Sequence, residues 1–326
     1  MAEWLLEDGI GETRAILVED DEIVEAAIEL PDTLRSGTVA EARLTSILVP
    51  GRRGIATVDD GSEVLIEPLP PALTEGQALR IEIVREPISE TGRAKLAKGK
   101  ASDLPARPGP TLAERIGAFT PNRVPGRDRF EQAGWSELLE EAASGEIAFP
   151  GGALRMSLTP AMTLFDVDGA LPPAALAEAG AQAAGRAIRR LGISGSIGID
   201  LPTLAARDQR LAVAAALDQV LPQPFERTAM NGFGFLQIIR RRERASIPEL
   251  IRADPVGAAA RALLRRAERS AGAGDHVLHA TPAVAARLLE APDWLDLLAR
   301  RLGARIEVRE EPGLGLSAGH VQSRHA

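Results

Sequence analysis

The first third of the chain alternates apolar and polar residues in short runs, which is the pattern of half-buried β-strands. Residues 1–34 predict one strand followed by a hairpin. Four further runs, separated by Gly, Pro and Asp, lie at 37–47, 53–58, 63–68 and 78–84. Several short strands within residues 35–86 are typical of a small barrel such as the OB-fold.

Residues 87–127 have no clear hydrophobic period, and five prolines lie between positions 105 and 125. Proline lacks the amide hydrogen that a helix interior requires. We therefore predict a linker here, with one short helix at 111–116.

Residues 128–245 carry the most regular pattern of the chain. In chain order it predicts a helix at 128–144, strands at 153–158 and 161–168, a helix at 174–191, a strand at 196–200, a helix at 204–220, and strands at 226–230 and 234–240. A strand, a long helix and a second strand in succession indicate a βαβ unit, whose two strands should be parallel.

Residues 246–326 predict a separate, small α/β unit. A charged connector extends to about residue 254, and a helix, a strand, two helices and a last strand follow within 255–309. The two strands are predicted at 276–280 and 304–309.

Composition limits the function classes. The chain has 326 residues, a formal net charge of −8 and no cysteine, which excludes disulfides, thiol nucleophiles and cysteine-ligated zinc. No apolar run approaches the roughly 18 residues of a membrane span, and no secretory signal is visible. We therefore expect a cytoplasmic protein with no membrane partner. The acidic total weighs against a generic nucleic-acid binder, which is usually basic.

Three aspartates lie at the ends of neighbouring strands in the predicted βαβ unit. Asp166 and Asp168 end one strand at a spacing that places both on one face, and Asp200 ends the next. Parallel strands end at the same sheet edge, so Asp166 and Asp200 should meet there. Converging carboxylates hold a hard cation that activates water and screens a phosphate. Aspartates after strands are also common helix caps, so the pattern alone leaves both interpretations open.

Arginines cluster after the last strand of this unit. The first group is Arg240, Arg241, Arg242 and Arg244, and the second is Arg252, Arg261, Arg265, Arg266 and Arg269. Local clusters of this kind either contact phosphate or form a solvated face, and the sequence favours neither.

Two other pairs are weaker candidates. His276 and His279 are three residues apart on a predicted strand, where they face opposite sides, which favours structural roles over a shared metal. Phe233 and Phe235 are two residues apart, and they predict one strand face in the core more readily than a stacking platform.

Several motifs between about 128 and 245 resemble, in order and spacing, the catalytic core of ribonucleases E and G. They are Phe-Pro-Gly-Gly-Ala at 149–153, Leu-Phe-Asp-Val-Asp at 164–168, Arg-Arg-Leu-Gly at 189–192, Gly-Ser-Ile-Gly-Ile-Asp at 195–200 and Gly-Phe-Gly-Phe-Leu-Gln at 232–237. The N-terminal third resembles the family's first RNase H-like strands with their inserted OB-fold. Residues 276–282 and His320 resemble parts of its small dimerisation domain.

The resemblance implies an α/β architecture of five parts. These are RNase H-like strands at 1–34, an OB-fold at 35–86, a reduced linker at 87–127, a DNase I-like catalytic core at 128–245 and a small C-terminal domain at 246–326. A homodimer through 255–316 is also implied.

The resemblance also implies an activity. Asp166 and Asp200 match the family's two magnesium-binding catalytic aspartates, and Asp168 stands where the family has an asparagine that orients the metal site. The implied reaction is hydrolysis of single-stranded RNA with Mg²⁺ or Mn²⁺, leaving a 5′-phosphate and a 3′-hydroxyl. The arginines at 240–244 would contact phosphate.

Some family features are missing. The two cysteines of the family's zinc-binding link are absent, so no zinc is expected, and 87–127 is too short for its 5′-phosphate sensor. Thr57 and Leu65 stand near positions where the family's OB-fold offers stacking aromatics, and Gly232 replaces an expected arginine. RNA binding by the barrel should therefore be weaker or different.

Two functions of different classes fit these observations. The first is an active, reduced endoribonuclease, which could also act on DNA or structured RNA. The second is a catalytically inactive RNA-binding or regulatory protein that keeps the fold. Retention of Asp166 and Asp200 favours the first, while the net charge and the lost sensor favour the second.

Overall fold

The N-terminal residues form the predicted strand and hairpin. The computed structural model describes residues 2–90, 93–122, 127–270 and 274–324. Its first strands are β1 (Glu3–Asp8), β2 (Thr13–Glu19) and β3 (Glu22–Glu29), paired antiparallel in that order. The hairpin turn between β2 and β3 places Asp20 and Asp21 at φ values of 51° and 64°. Two successive positive φ values are what a type I′ turn needs.

A closed five-stranded barrel follows, in agreement with the small barrel predicted from the sequence. In chain order the strands of this region are β4 (Val39–Val49), β5 (Arg53–Val58), β6 (Glu63–Ile66), β7 (Ala78–Arg85), β8 (Ile88–Glu90), β9 (Arg93–Lys95) and β10 (Ala97–Ala101). The barrel order is β10-β6-β5-β4-β7, while β8 and β9 form a separate ribbon. Strand β10 closes the barrel by pairing parallel with β6 and antiparallel with β7.

The linker prediction is wrong for the residues of β10. This strand is Ala-Lys-Gly-Lys-Ala, so it shows no large apolar residue at alternate positions. A Cβ atom added at Gly99 would lie only 3.1 Å from Cγ1 of Val64. The barrel interior thus requires a small residue here, which hides the strand from a hydrophobicity pattern.

The rest of the predicted linker also contains regular elements. The short helix is confirmed as α1 (Leu112–Ile116), with Thr111 and Glu114 in a capping box. Strand β11 (Thr120–Pro121) then pairs parallel with β1 and becomes the fourth strand of the N-terminal sheet. Residues 91–92 and 123–126 of this segment lie outside the described residues.

The region from 128 to 245 contains a six-stranded sheet and four helices among its described residues. In chain order the elements are α2 (Arg129–Gln132), α3 (Trp135–Ser144), β12 (Glu146–Phe149), β13 (Gly152–Leu158), β14 (Thr163–Gly169), α4 (Pro173–Arg190), β15 (Gly195–Asp200), α5 (Arg207–Val220), β16 (Glu226–Arg227) and β17 (Phe235–Arg240). The sheet order is β12-β13-β14-β15-β17-β16. Strands β14 and β15 are parallel, which confirms the predicted βαβ unit. The helix predicted at 128–144 is two helices, because Gly134 between them has a φ of 93°.

Helix α4 lies between the N-terminal sheet and the six-stranded sheet, and residues of all three share one hydrophobic core. Its buried positions are mostly Ala and Gly, which allows close approach. A Cβ atom added at Gly180 would lie 2.4 Å from Cγ1 of Val167 on β14. Since side chains alternate along a strand, Asp166 and Asp168 lie on the face opposite to Val167 and α4.

The C-terminal part is a second α/β unit with its own core. Its elements are α6 (Ile247–Ala253), α7 (Pro255–Arg269), β18 (Asp275–Ala280), α8 (Pro282–Glu290), α9 (Pro292–Leu302), β19 (Ile306–Glu310) and β20 (His320–Arg324). The predicted order from α7 to β19 is confirmed, while α6 lies within the predicted connector and β20 was not predicted. None of the helices in the described ranges has the length and apolar character of a membrane span.

Three arginines of α7, two of them buried and Arg269 half-buried, lie against acidic residues of the N-terminal part. Glu7 accepts hydrogen bonds from Arg14, Arg265 and Arg269, at 2.9 Å from Arg265 Nε. Arg261 lies 2.8 Å from Glu12. These arginines belong neither to a solvated face nor to an RNA-binding surface. They join α7 to β1 and β2.

The same network shifts the pKa of an acidic partner. Burial alone would raise the pKa of Asp128, but Arg265, the backbone N–H of Glu131 and Arg269 outweigh this effect and lower it. A carboxylate with a lowered pKa in the folded state stabilises the fold above its unfolded pKa of about 3.9, and this contribution is lost as the pH falls.

Replacement of Glu7 by Gln should destabilise the protein strongly. The change leaves three buried guanidinium groups without their shared carboxylate, and breaking a buried ion pair typically costs about 3–5 kcal/mol. Urea unfolding should therefore show a matching loss of unfolding free energy. The control, Glu63→Gln, changes an exposed residue of β6 and should shift it by less than about 0.5 kcal/mol. Equal effects of the two variants would contradict a central role for the network.

Candidate functional site

Asp166 and Asp200 lie directly opposite each other on adjacent parallel strands. The register of β14 and β15 pairs Leu164 with Gly198 and Asp166 with Asp200. Residues opposite each other in a parallel pair point to the same face, and neighbouring strands are about 4.8 Å apart. The predicted meeting of these two strand-end carboxylates is therefore found in the fold.

The face that carries the carboxylates is open to solvent. Asp200 and Asp168 are exposed and Asp166 is half-buried, whereas Phe165 and Val167 between them are buried on the α4 side. We call this surface of the six-stranded sheet the open face. A substrate can reach the paired carboxylates only from this side.

Asp168 extends past the paired aspartates. The pairing of β14 with β15 ends at Asp166 and Asp200, so Asp168 lies two residues, or about 6.6 Å, farther along the strand. Its nearest basic group is Arg155 Nη1, at 4.0 Å. This position suits an assisting role better than equal sharing of one ion.

The donor set on the open face suits magnesium. Mg²⁺ keeps several waters in proteins and binds through one or two carboxylates plus substrate phosphate oxygens. Asp166 and Asp200 supply two such carboxylates. With Asp168 they do not form a closed three-ligand cage, because the one group of three His, Asp or Glu within 4.8 Å in the described part of the chain lies elsewhere.

Arg155 is a candidate that the sequence analysis did not single out. It lies directly opposite Asp166 on β13, and its side chain is 63% exposed. Its other acidic neighbour is Glu146, at 3.4 Å. A guanidinium here can neutralise a phosphate beside the aspartates. The alternation of Leu154 and Met156, both buried, with Arg155 was the signal available in the sequence.

The prediction for Phe233 and Phe235 is wrong for Phe233. Phe235 begins β17 opposite Asp200, and its ring fills the space above Gly198, where a Cβ atom would lie 2.5 Å from Cζ. Phe233 instead lies in a turn and is 87% exposed. The carboxamide oxygen of Asn231 accepts hydrogen bonds from the backbone N–H groups of both phenylalanines. The turn thus presents a free aromatic ring beside the Asp200 end of the sheet.

The arginine group at 240–244 lies at the other end of the sheet. Arg240 pairs with Gly195, whereas Phe235 pairs with Asp200, a separation of five residues or about 17 Å. Arg240 also points to the covered side, where its Nη1 donates to the carbonyl of Ile193 at 2.9 Å. Burial lowers the pKa of Arg240, and Glu25 opposes this shift.

The other three arginines of this group have acidic partners. Arg242 donates to Glu249, Arg241 lies 3.1 Å from Glu243, and Arg244 lies 4.0 Å from the same glutamate. Their positive charge is thus largely balanced locally. None of the four can neutralise a phosphate that is bound at Asp166 and Asp200.

A cleft of about 350 Å³ adjoins this end of the sheet. Its lining includes Thr159, Met162, Ser194, Ser196, Arg242 and Arg252. A ligand that crosses the open face from the aspartates would arrive at this cleft.

A second cluster was missed from the sequence. His279, Glu311 and His320 place one ligand atom each within 4.8 Å of the others, as required for a metal-binding group. His276 is not a member, since its Nδ1 lies 2.9 Å from the carbonyl of Gly274. The two histidines on β18 do face apart as predicted, but the partners of His279 come from β20 and from the residue after β19.

No model of a known protein family matches the chain, and no curated protein matches it at a significant level. The functional interpretation therefore depends on the residues and their geometry.

Packing of α4 against β14 should control the position of Asp166. Gly180→Val would force a side chain into the space of Val167, and overpacking of this kind typically costs about 1–3 kcal/mol. We expect the urea-unfolding free energy to fall by that amount. Gly232 has no atom within 4 Å of an added Cβ, so Gly232→Val should change it far less. An unaffected Gly180→Val protein would contradict the tight contact.

Proposed function

We propose that the chain is a metal-dependent endoribonuclease that hydrolyses single-stranded RNA to 5′-phosphate and 3′-hydroxyl ends, as the resemblance to ribonucleases E and G implies. The observation that carries the proposal is the register of Asp166 with Asp200 on the open face. The alternative reading of such aspartates as helix caps loses support, because α4 and α5 begin after Pro172 and Ala206, which give no side-chain cap.

In this proposal Asp166 and Asp200 would hold one Mg²⁺ or Mn²⁺, and Asp168 would assist the site. When bound, such an ion lowers the pKa of a coordinated water and stabilises charge on the phosphate. Water would add to phosphorus and lose one proton, while the 3′-oxygen would leave and take up one proton, which gives the two product ends. Arg155 would offset negative charge on a phosphate oxygen. This contribution is needed because the three carboxylates repel the phosphate.

Single-strand preference would come from stacking. The ring of Phe233 is free to stack on an unpaired base, which a duplex cannot offer without unpairing. The barrel would contribute less to stacking, because Thr57 and Leu65 are half-buried on its outer face and provide no aromatic surface. Arg241 and Arg242 would contact a phosphate remote from the cut, near the cleft. A homodimer through 255–316 remains part of the proposal.

A second candidate is an RNA-binding protein without catalysis. The exposed ring of Phe233 and the cleft favour it, because both could contact a strand without an ion at the aspartates. In that case Phe233 and the cleft would bind RNA while the aspartates contribute only to folding.

Cleavage of a labelled single-stranded RNA separates the two candidates. The wild-type chain should make internal cuts with Mg²⁺ and none with EDTA, and Asp166→Asn or Asp200→Asn should reduce the rate by at least about 100-fold. Asp296→Asn, an exposed aspartate of α9, should cut normally. Full activity in the double variant Asp166→Asn, Asp200→Asn would refute the site. Binding without cutting by the wild type would establish the second candidate.

Loss of the Phe233 ring should weaken RNA binding. Stacking contributes about 1–3 kcal/mol per base, so Phe233→Ala should raise the Kd for single-stranded RNA by about 5- to 150-fold, and the Kd for duplex RNA much less. Leu289→Ala removes another exposed apolar residue, from α8, and serves as the control in fluorescence anisotropy. Identical affinities for all three proteins would exclude Phe233 as a stacking platform.

A further inference from the structure

The C-terminal sheet places two imidazoles and one carboxylate around a single point. His279 of β18 and His320 of β20 are direct cross-strand partners, and Glu311 follows the last residue of β19. Nδ1 of His279 contacts the Glu311 carboxylate, and the three ligand atoms lie within 4.8 Å of one another. The sheet order β19-β18-β20 thus brings together residues from three separate parts of the chain.

The cluster is anchored by the backbone on each side. The N–H of Glu311 donates to the carbonyl of Ala280 at 2.7 Å, which holds this glutamate at the end of β18. Gly319 is packed so closely that an added Cβ would lie 3.0 Å from the carbonyl oxygen of His279. The positions of Glu311 and His320 relative to His279 are therefore set by the fold and not by flexible tails.

His279 itself is buried and incompletely paired. Only 5% of its surface is accessible, and its Nε2 has no hydrogen-bond partner among the described residues. The rings of His279 and His320 are stacked with centroids 4.5 Å apart and planes 3° from parallel. A metal ion must lie close to the plane of each imidazole that binds it, so one ring must turn. The exposed His320 can do so while the buried His279 stays fixed.

The donor chemistry selects a class of ion. Two nitrogens and one carboxylate oxygen are the ligands of zinc sites that keep an open fourth position for water, and imidazole suits transition metals while Mg²⁺ and Ca²⁺ prefer oxygen. The nearest cation on β19, Arg309, lies beside His279 in the register and pairs with Glu307 at 2.8 Å. Because this ion pair offsets the charge of Arg309, the arginine repels an incoming metal ion less.

We propose that His279, Glu311 and His320 bind one divalent transition-metal ion of the Zn²⁺ class, with water in the fourth position. The ion links all three strands of the C-terminal sheet and stabilises this unit. The site is separate from Asp166 and Asp200 and does not depend on the nuclease activity. It is also unrelated to a cysteine-ligated zinc link, which the absence of cysteine excludes.

Zinc titration of the metal-free full chain tests the proposal. The Asp166→Asn, Asp200→Asn variant is used, so that ions at the open face do not contribute heat. Isothermal titration with Zn²⁺ should show one site per chain, and Co²⁺ should give the strong visible absorption of a four-coordinate ion. Zn²⁺ should also raise the Tm, because binding to the folded state alone stabilises it.

Three further variants locate the site. Even an outer hydrogen-bond partner of a metal ligand typically contributes about 10–100-fold to affinity, so His320→Ala and Glu311→Gln should each weaken Zn²⁺ binding by at least that factor. Both residues are at least partly exposed, so the variants should fold, with Tm values near the metal-free parent. Glu290→Gln, which changes an exposed glutamate at the end of α8, should bind as the parent does. The proposal is wrong if the parent shows no site, if His320→Ala and Glu311→Gln bind normally, or if Glu290→Gln abolishes binding.

Discussion

The parallel pairing of β14 with β15 is the constraint on which the candidate site depends. Parallel neighbours need a crossover, and α4 supplies it as an 18-residue helix packed between two sheets. The small residues of α4 let it approach β14 so closely that one face of the sheet is closed. The register then leaves Asp166 and Asp200 side by side on the other face. An antiparallel pairing of the same two strands would have put these carboxylates at opposite ends.

The positions of the charged residues say more about ligand attraction than the net charge of the molecule does. The net charge of −8 suggests poor attraction for RNA, and several arginines that could oppose it are used inside the fold. Arg261, Arg265 and Arg269 neutralise Glu7 and Glu12. Under the proposed function, an RNA strand would be held by a few local groups on the open face and by stacking on Phe233. Salt should then weaken binding less steeply than for a basic nuclease.

Elements with a strong hydrophobic period were predictable from the sequence, because burial on one side dictates that period. The βαβ unit, the hairpin of β2 and β3 and four of the five barrel strands belong to this class. Strand β10 was not predicted, because its inward positions require the small residues Ala97 and Gly99. The exposure of Phe233 was not predicted, because hydrogen bonds to the side chain of Asn231 hold the backbone in a turn before β17 begins. An alternating pattern of residue types does not indicate such a turn.

The two candidate sites also differ in how far the sequence predicts them. Asp166 and Asp200 could be foreseen because strand order alone determines that parallel strands end together. His279, Glu311 and His320 could not, since their proximity depends on β20 pairing beside β18, and the sequence beyond residue 317 shows no clear strand pattern. The arginines at 240–244 cluster in the sequence, yet strand alternation directs Arg240 to the covered side, and local glutamates pair with the other three.

Binding of Mn²⁺, followed by the electron paramagnetic resonance signal of the free ion, tests the shared aspartate site most directly. Mn²⁺ favours the carboxylate and water ligands of a magnesium site. If Asp166 and Asp200 hold the same ion, Asp166→Asn and Asp200→Asn should each abolish most of the affinity, and the double variant should be little worse than either. This non-additivity is expected of residues that act on one ligand. All proteins carry His320→Ala, which removes the second proposed metal site. Losses that simply add, or Mn²⁺ affinity that survives in the double variant of this background, would contradict the shared site.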